Sequence, residues 1–311
     1  VLRLIGRSKT VIFGYLLNLL LITSASSAPN EKGVYQLTDG KLLSPTAMEL
    51  QGSERRVTIS SPIGPMELRW QRDVEVFFGR TPERALIEAA RSISRALNKG
   101  GFPVRVTSLN MRWNIIFFGE NLPGGQVPAA ILSGCHPGWM IGNREEANIY
   151  IRAQAVVAGC GGNTKPKSSV ADEKLSQVIV HEIGHGIEGA LLQGKGSSEK
   201  LRSEGFATWF EQYVSEFSPV LRSAGIQAYY KKLALYRMKT SPGPFVFQGT
   251  AYDYAYSSMY FVTLEERFGV RGLFSVYDLL LQGSPSFYEA IFQRFKWSRS
   301  KLEEEVSRIL K

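Results

Sequence analysis

Two of the chain's three histidines stand four residues apart, with a glutamate beside the first, in Val178-Ile-Val-His181-Glu182-Ile-Gly-His185. On a helix, residues four apart differ by roughly 40° about the axis and one turn along it, so both imidazoles project from one face. Such a pair can hold Zn²⁺, and Glu182 then projects beside the ion toward a bound water. Apolar Leu175, Val178, Ile179 and Ile183 supply the buried back of this helix, and Asp172 is expected to cap its start. The remaining histidine, His136, reads as a loop residue without a role.

A catalytic site of this kind needs a third protein ligand. The extension H-E-x-x-H-x-x-G-x-x-H would place Gly at position 188 and His at 191, where this chain has Glu188 and Leu191. After eighteen intervening residues comes Glu204, within Arg202-Ser-Glu204-Gly-Phe-Ala-Thr-Trp-Phe-Glu211. The short link Gln193 to Ser198 lets an antiparallel helix return Glu204 to the histidines. Two His and one Glu with an open fourth position is the pattern of a catalytic zinc, so one Zn²⁺ per chain, held by His181, His185 and Glu204, is expected. Glu211, two turns beyond Glu204, either orients a ligating histidine or is a solvated helix carboxylate. Gly184, Gly186 and Gly189 each cost the helix about 1 kcal/mol, which points to a neighbouring element packed close against them.

Taken together, His181-Glu182-x-x-His185, the spacing to Glu204-Gly205-Phe206-Ala207, and Glu211 resemble the gluzincin metallopeptidases. The likeness is to the aminopeptidase-N-like branch and its smaller peptidase-MA-like relatives, and it covers roughly residues 175 to 270. Those families continue with a helix that begins in Tyr and ends in Gly fifteen residues later, a spacing met by Tyr254 and Gly269. The resemblance implies a zincin-like fold and a secreted zinc metallopeptidase in which Glu182 is the general base. It also implies that Tyr254 stabilises the oxyanion, although Tyr252, Tyr256 and Tyr260 crowd the same segment and packing is the other role open to such tyrosines. The Gly-x-Met-Glu-Asn motif of the aminopeptidase branch has no counterpart before His181, since Met66-Glu67 is distant and lacks the Asn; this favours an endopeptidase. By the same resemblance, Asn148 to Val157 is the edge strand along which an extended peptide pairs. The alternative is a catalytically silent zincin-fold protein that binds a partner or assists cell-envelope assembly, against which the retained Glu182 argues.

The elements that must position these side chains fall into two groups. Residues 29–170 read as mixed α and β, with strand-like stretches in Val57 to Ser60 and Met66 to Phe78. Pro82 to Asn98 reads as a helix, capped by Thr81, with Leu86, Ala89, Ala90, Ile93 and Leu97 on one face and Gly100-Gly101 ending it. Val104 to Leu109, Trp113 to Phe118 and Asn148 to Val157 follow as strands. The Gly/Pro-rich stretches 119–138 and 159–167 are loops, and Gly159-Cys160-Gly161-Gly162 lacks the Lys-Ser/Thr of a phosphate cradle. Residues 171–311 are helical, with helices at Asp172–Leu192, Ser198–Phe217, Ile226–Lys239, Tyr254–Phe268 and Gly272–Leu281, then two short ones. Sheet-bearing first half and helical second half make an α+β chain with a cleft between two subdomains.

The 311 residues are 44% hydrophobic and 21% charged, a composition that excludes collagen-like, disulfide-dense and largely disordered classes. Arg3, Arg7 and Lys9 precede the apolar run Val11–Ile22, interrupted only by Gly14 and Asn18, and small residues follow to Ala28. That is the pattern of a signal peptide over residues 1–28; the competing reading, an uncleaved anchor, suffers because a span needs ~20 apolar residues. Without that segment, 34 basic face 28 acidic residues, and the net charge falls from +9 to +6. Such a balance, without a basic stripe, gives no reason to expect a nucleic-acid partner. A secreted or periplasmic location follows, with no stable membrane insertion after cleavage and a peptide or protein as substrate. In that compartment Cys135 and Cys160 are expected to form a disulfide closing a 26-residue segment. The oligomeric state stays open.

Overall fold

The computed structural model describes residues 35–36, 42–43, 54–71, 74, 81–118, 137–142, 145–152, 155–156, 168–194, 199–241 and 243–311. The expected signal segment, His136 and the expected Cys135–Cys160 disulfide lie outside these residues. Among the described residues, no helix is long and apolar enough to cross a membrane.

Two short strands, β1 (Tyr35–Gln36) and β2 (Leu42–Leu43), pair antiparallel. The main sheet has five strands: β3 (Glu54–Ile59), β4 (Met66–Gln71), β5 (Arg112–Phe118), β6 (Gly138–Gly142) and β7 (Glu146–Arg152), in the order β3-β4-β5-β7-β6. The three inner strands run parallel, and β3 and β6 each run antiparallel to their neighbour. Every side chain of β5 from Trp113 to Phe118 is buried, Asn114 included, as an inner strand covered on both faces requires. Asn114 donates from Nδ2 to Asn148 Oδ1 on β7 at 3.0 Å and to Glu146 Oε1, which gives its buried NH2 group two partners.

Joining parallel β4 and β5 needs a crossover, and α1 (Thr81–Asn98) supplies it. Pro82 sits in its first turn, and Leu86, Ala89, Ala90, Ile93 and Leu97 are all buried as one face. Gly100 and Gly101, with φ of +91° and +95°, take the left-handed conformations that end the helix. The next segment corrects the sequence reading. Val104 to Leu109 contains a one-turn helix, α2 (Val104–Thr107), and no strand. The Val-Arg-Val alternation suggests a strand, but Pro103 starts a turn and Val106 alone points inward, leaving Val104 77% exposed.

The second half is helical: α3 (Ser168–Leu191), α4 (Lys200–Ser215), α5 (Pro219–Ser223), α6 (Ile226–Thr240), α7 (Ala251–Leu281), α8 (Phe287–Phe295) and α9 (Arg299–Leu310). Helix α3 starts at Ser168, so Asp172 lies inside it and does not cap it. The α7 span holds the two helices expected from the sequence, which meet at a kink where Gly269 has non-helical backbone (φ 68°, ψ 171°). It begins three residues before Tyr254 because Thr250 and Asp253 form a capping box. Helix α4 is buried without a gap from Glu204 to Ser215. It packs between α3 and α7, while the other side of α3 rests on α1, β6 and β7. Buried side chains of sheet and helices form one apolar cluster that includes Trp113, Trp209, Phe206 and Tyr277. The chain is thus α+β, a five-stranded sheet backed by a mostly helical half.

Candidate metal centre

Helix α3 is clamped between the sheet and α4 at two glycines. A Cβ at Gly184 would come within 3.0 Å of the Ala207 Cα on α4, and one at Gly186 within 2.5 Å of the Trp113 ring on β5. Trp113 cannot yield easily, since its Nε1 donates to the Ile63 carbonyl at 3.0 Å. Gly189 is different from the expectation: it is exposed, and nothing lies within 4 Å of its added Cβ. Close packing therefore explains two of the three helix glycines.

The chain reverses after α3 through Gln193 (φ 51°) and Gly194 (φ 68°). The pairings Gln177 with Glu211, Gly184 with Ala207 and Glu188 with Arg202 then run in opposite order, so α4 returns antiparallel to α3. This antiparallel return brings Glu204 to the two histidines. Its Oε2 lies 3.3 Å from His185 Nε2 and 3.7 Å from His181 Nε2, and one donor atom from each of the three residues falls within 4.8 Å of the others. All three side chains are largely buried, and the group could hold a metal ion.

Donor chemistry and spacing fit zinc. Ligands at zinc bond lengths on a tetrahedron are separated by about 3.3–3.5 Å. The two Nε2–Oε2 separations, 3.3 and 3.7 Å, are close to that edge. Each histidine also keeps its second nitrogen occupied from behind, which leaves Nε2 for the ion. His181 Nδ1 lies 3.4 Å from Glu211 Oε2, and His185 Nδ1 lies 3.1 Å from Ser203 Oγ. Glu211 is itself held, accepting from Gln177 Nε2 at 2.6 Å and from the Tyr230 hydroxyl at 3.1 Å.

The electrostatics favour a cation. Burial opposes a charge on His181, yet the carboxylates of Glu204, Glu211 and Glu182 outweigh it and push its pKa up to about 10. Burial likewise opposes charge on Glu204, but His185 and His181 hold its carboxyl well below the usual range. Glu182 moves the other way: burial raises it, and Glu204 adds to the rise while the two histidines and Lys200 oppose it.

Glu182 faces the end of β6. A Cβ on Gly138 would stand 2.9 Å from Val178 Cγ1 and 3.0 Å from Glu182 Oε1, so only glycine lets the strand pass so near. Among the described residues this strand, Gly138–Gly142, is one edge of the sheet; β7 lies inside it, between β5 and β6. The expectation that Asn148 to Val157 is the edge strand is thereby corrected. Helical backbone at 155–156 further shows that the strand stops at Arg152. Gly138 closes a Gly/Pro-rich run that has the composition of a loop, and that composition masks the short strand it begins.

Of the four clustered tyrosines, Tyr254 has its ring against His181, with centroids 6.4 Å apart, and against Phe247 at 5.4 Å. Tyr252 pairs with Tyr236 at 4.8 Å, while Tyr256 packs on Phe245 at 4.9 Å and on Tyr260 at 5.7 Å. Burial, then the nearby Glu204 and Glu182, raises the Tyr254 hydroxyl well above its ordinary pKa, which keeps it a proton donor. Asp253 anchors this turn: Oδ2 accepts from the backbone N–H of Gln248 and of Thr250, and Oδ1 accepts from Arg237 Nε at 2.9 Å. The pattern Thr250-x-x-Asp253 before an apolar run was available in the sequence as a helix-start signal. Ser203, Gln177, Tyr230 and Gly138 carried no comparable local mark.

No protein-family model matches the chain, and no curated protein matches it.

Proposed function

We propose that the chain is an exported zinc-dependent peptidase of the gluzincin type, with endopeptidase action favoured. The observation that carries this reading is the convergence of His181, His185 and the Glu204 Oε2 from two antiparallel helices, with Glu182 beside them. Zinc, when bound there, supplies Lewis acidity toward a carbonyl oxygen and acidifies a water. Glu182 accepts the water's proton and hands it to the departing amine; burial, which raises its pKa, suits it to hold that proton in between. The protonated Tyr254 hydroxyl donates a hydrogen bond to the oxygen on which negative charge develops. Glu211 and Ser203 keep the two imidazoles in the tautomer and rotation that present Nε2. Among the described residues, β6 is an edge strand of the sheet and passes beside Glu182, and an extended peptide or protein substrate pairs along it in this reading.

In this reading residues 1–28 are the export signal, residues 29–170 carry the sheet and residues 171–311 the metal ligands, with a zincin-like fold and the substrate cleft between them. The experiment is incubation of the protein with an unstructured polypeptide, with and without chelator, beside Glu182→Gln, together with metal analysis. One zinc per chain, cleavage stopped by chelation and abolished in Glu182→Gln are the expected results. Zinc without cleavage would favour the silent binding protein; cleavage untouched by Glu182→Gln would refute the mechanism.

A further inference from the structure

Lys200 is the first residue of α4, and its ammonium lies 3.7 Å from Glu204 Oε1 with its side chain 40% exposed. Helix stability does not account for it. A cation at the N-terminus opposes the helix dipole; no acidic residue stands in the first turn, and the acidic N-cap Glu199 is engaged by Arg202 and the Phe287 N–H. Lys before Glu at i,i+4 is also the less favourable order, and exposed pairs add little.

The two oxygens of Glu204 are, however, divided between different partners. Oε2 faces the Nε2 atoms of both histidines, at 3.3 and 3.7 Å, whereas Oε1 faces Lys200. We infer that Lys200 is a positioning residue that holds Oε1 aside, so that Glu204 ligates the metal through Oε2 alone and the remaining coordination position stays open. This rests on the metal-site reading above. Carboxylates can close on a divalent ion with both oxygens, and the number of protein donors decides whether a zinc site retains an open position. An ammonium is a compact charge on a flexible stem, able to hold one oxygen without occupying the ion's own space.

The test uses Co²⁺ alone as the probe, added to the full chain and to Lys200→Met and Lys200→Arg, since its visible absorption reports coordination number. With Glu204 held by one oxygen, the unaltered protein is expected to show the stronger absorption of a four-coordinate ion. Lys200→Met is expected to weaken that band roughly twofold or more as the coordination number rises. Lys200→Arg, which keeps a cation at the same place, should restore it. A merely structural lysine would leave the band unmoved. Superposable spectra of the unaltered protein and Lys200→Met, each with one cobalt bound, would overturn the role of Lys200 while leaving the metal centre standing. Failure of the unaltered protein to take up cobalt or zinc would overturn the metal centre and this inference with it.

Discussion

The Glu211 carboxylate lies 3.4 Å from Nδ1 of His181, across the interface between α4 and α3, and is 1% exposed. A buried carboxylate so placed fixes the imidazole's rotation and makes it a better donor at Nε2. Glu211→Gln keeps the shape but loses the charge. It is expected to weaken zinc about 10- to 100-fold in competition with a chelator, with the circular dichroism unchanged. Zinc affinity equal to that of the unaltered chain would remove Glu211 from the site.

Tyr254 is the tyrosine whose ring meets His181, and its hydroxyl stays protonated because burial and the carboxylates of Glu204, Glu182 and Asp253 raise its pKa. Removing one oxyanion donor typically costs about 10²–10³ in kcat. Tyr254→Phe should therefore lose cleavage on that scale with zinc content intact, while Tyr252→Phe and Tyr256→Phe retain it. Equal losses in all three would assign the segment to packing.

Gly186 and Gly189 lie three residues apart on one helix and are expected to respond oppositely to alanine. At Gly186 the new methyl meets the Trp113 ring at 2.5 Å, an overpacking that costs about 1–3 kcal/mol. At Gly189 nothing lies within 4 Å, so alanine should stabilise the helix. The gain there is roughly 0.5–1 kcal/mol. Urea unfolding of the two variants checks the signs, and a destabilised Gly189→Ala would show that something covers that face.

Arg202 and Glu188 form an ion pair at 2.8 Å, and both side chains are 4% exposed. Glu188 also accepts from the Tyr277 hydroxyl at 2.9 Å, tying α3, α4 and α7 together beside the metal ligands. Arg202→Met strands a buried carboxylate and is expected to cost about 3–5 kcal/mol. Replacing Glu188 by Met as well should recover most of that loss, short of the part due to the Tyr277 hydroxyl. A double variant no more stable than the single one would contradict this origin of the cost.

Glu305 on α9 accepts from Arg267 and Arg308 and pairs with Lys301, which together hold its pKa at about 2 against an ordinary 4.5. A carboxylate with a depressed folded pKa contributes stability above its unfolded value, and the contribution fades as pH falls toward the folded one. Unfolding midpoints should thus decline between about pH 4.5 and about pH 2, and Glu305→Gln should flatten that part of the curve. An unchanged slope in the variant would show that other carboxylates govern acid stability.

Much of the frame was legible in the residues because it rests on local periodicity. The face of α1, the inner strand β5 and the span of α4 follow from spacings of apolar side chains within a dozen or so residues. Where local pattern and tertiary packing disagree, packing decides. Val104 and Val106 alternate as in a strand, yet Pro103 and the exposure of Val104 make that segment a helical turn. Strand β6 hid behind a Gly/Pro-rich stretch, because a five-residue edge strand becomes visible only when β7 is there to pair with it.

The site divides along the same line. From the sequence alone, His181, Glu182 and His185 had to share one turn of a helix, because a four-residue spacing fixes relative direction without reference to anything else. Which groups meet that turn was decided by tertiary structure. The antiparallel return of α4 selects Oε2 of Glu204 for the histidines and places Glu211 and Ser203 behind them. The sheet order puts Gly138, and not β7, against Glu182. Such contacts join residues tens of positions apart, and only the crossing of helices and the order of strands sets their distances.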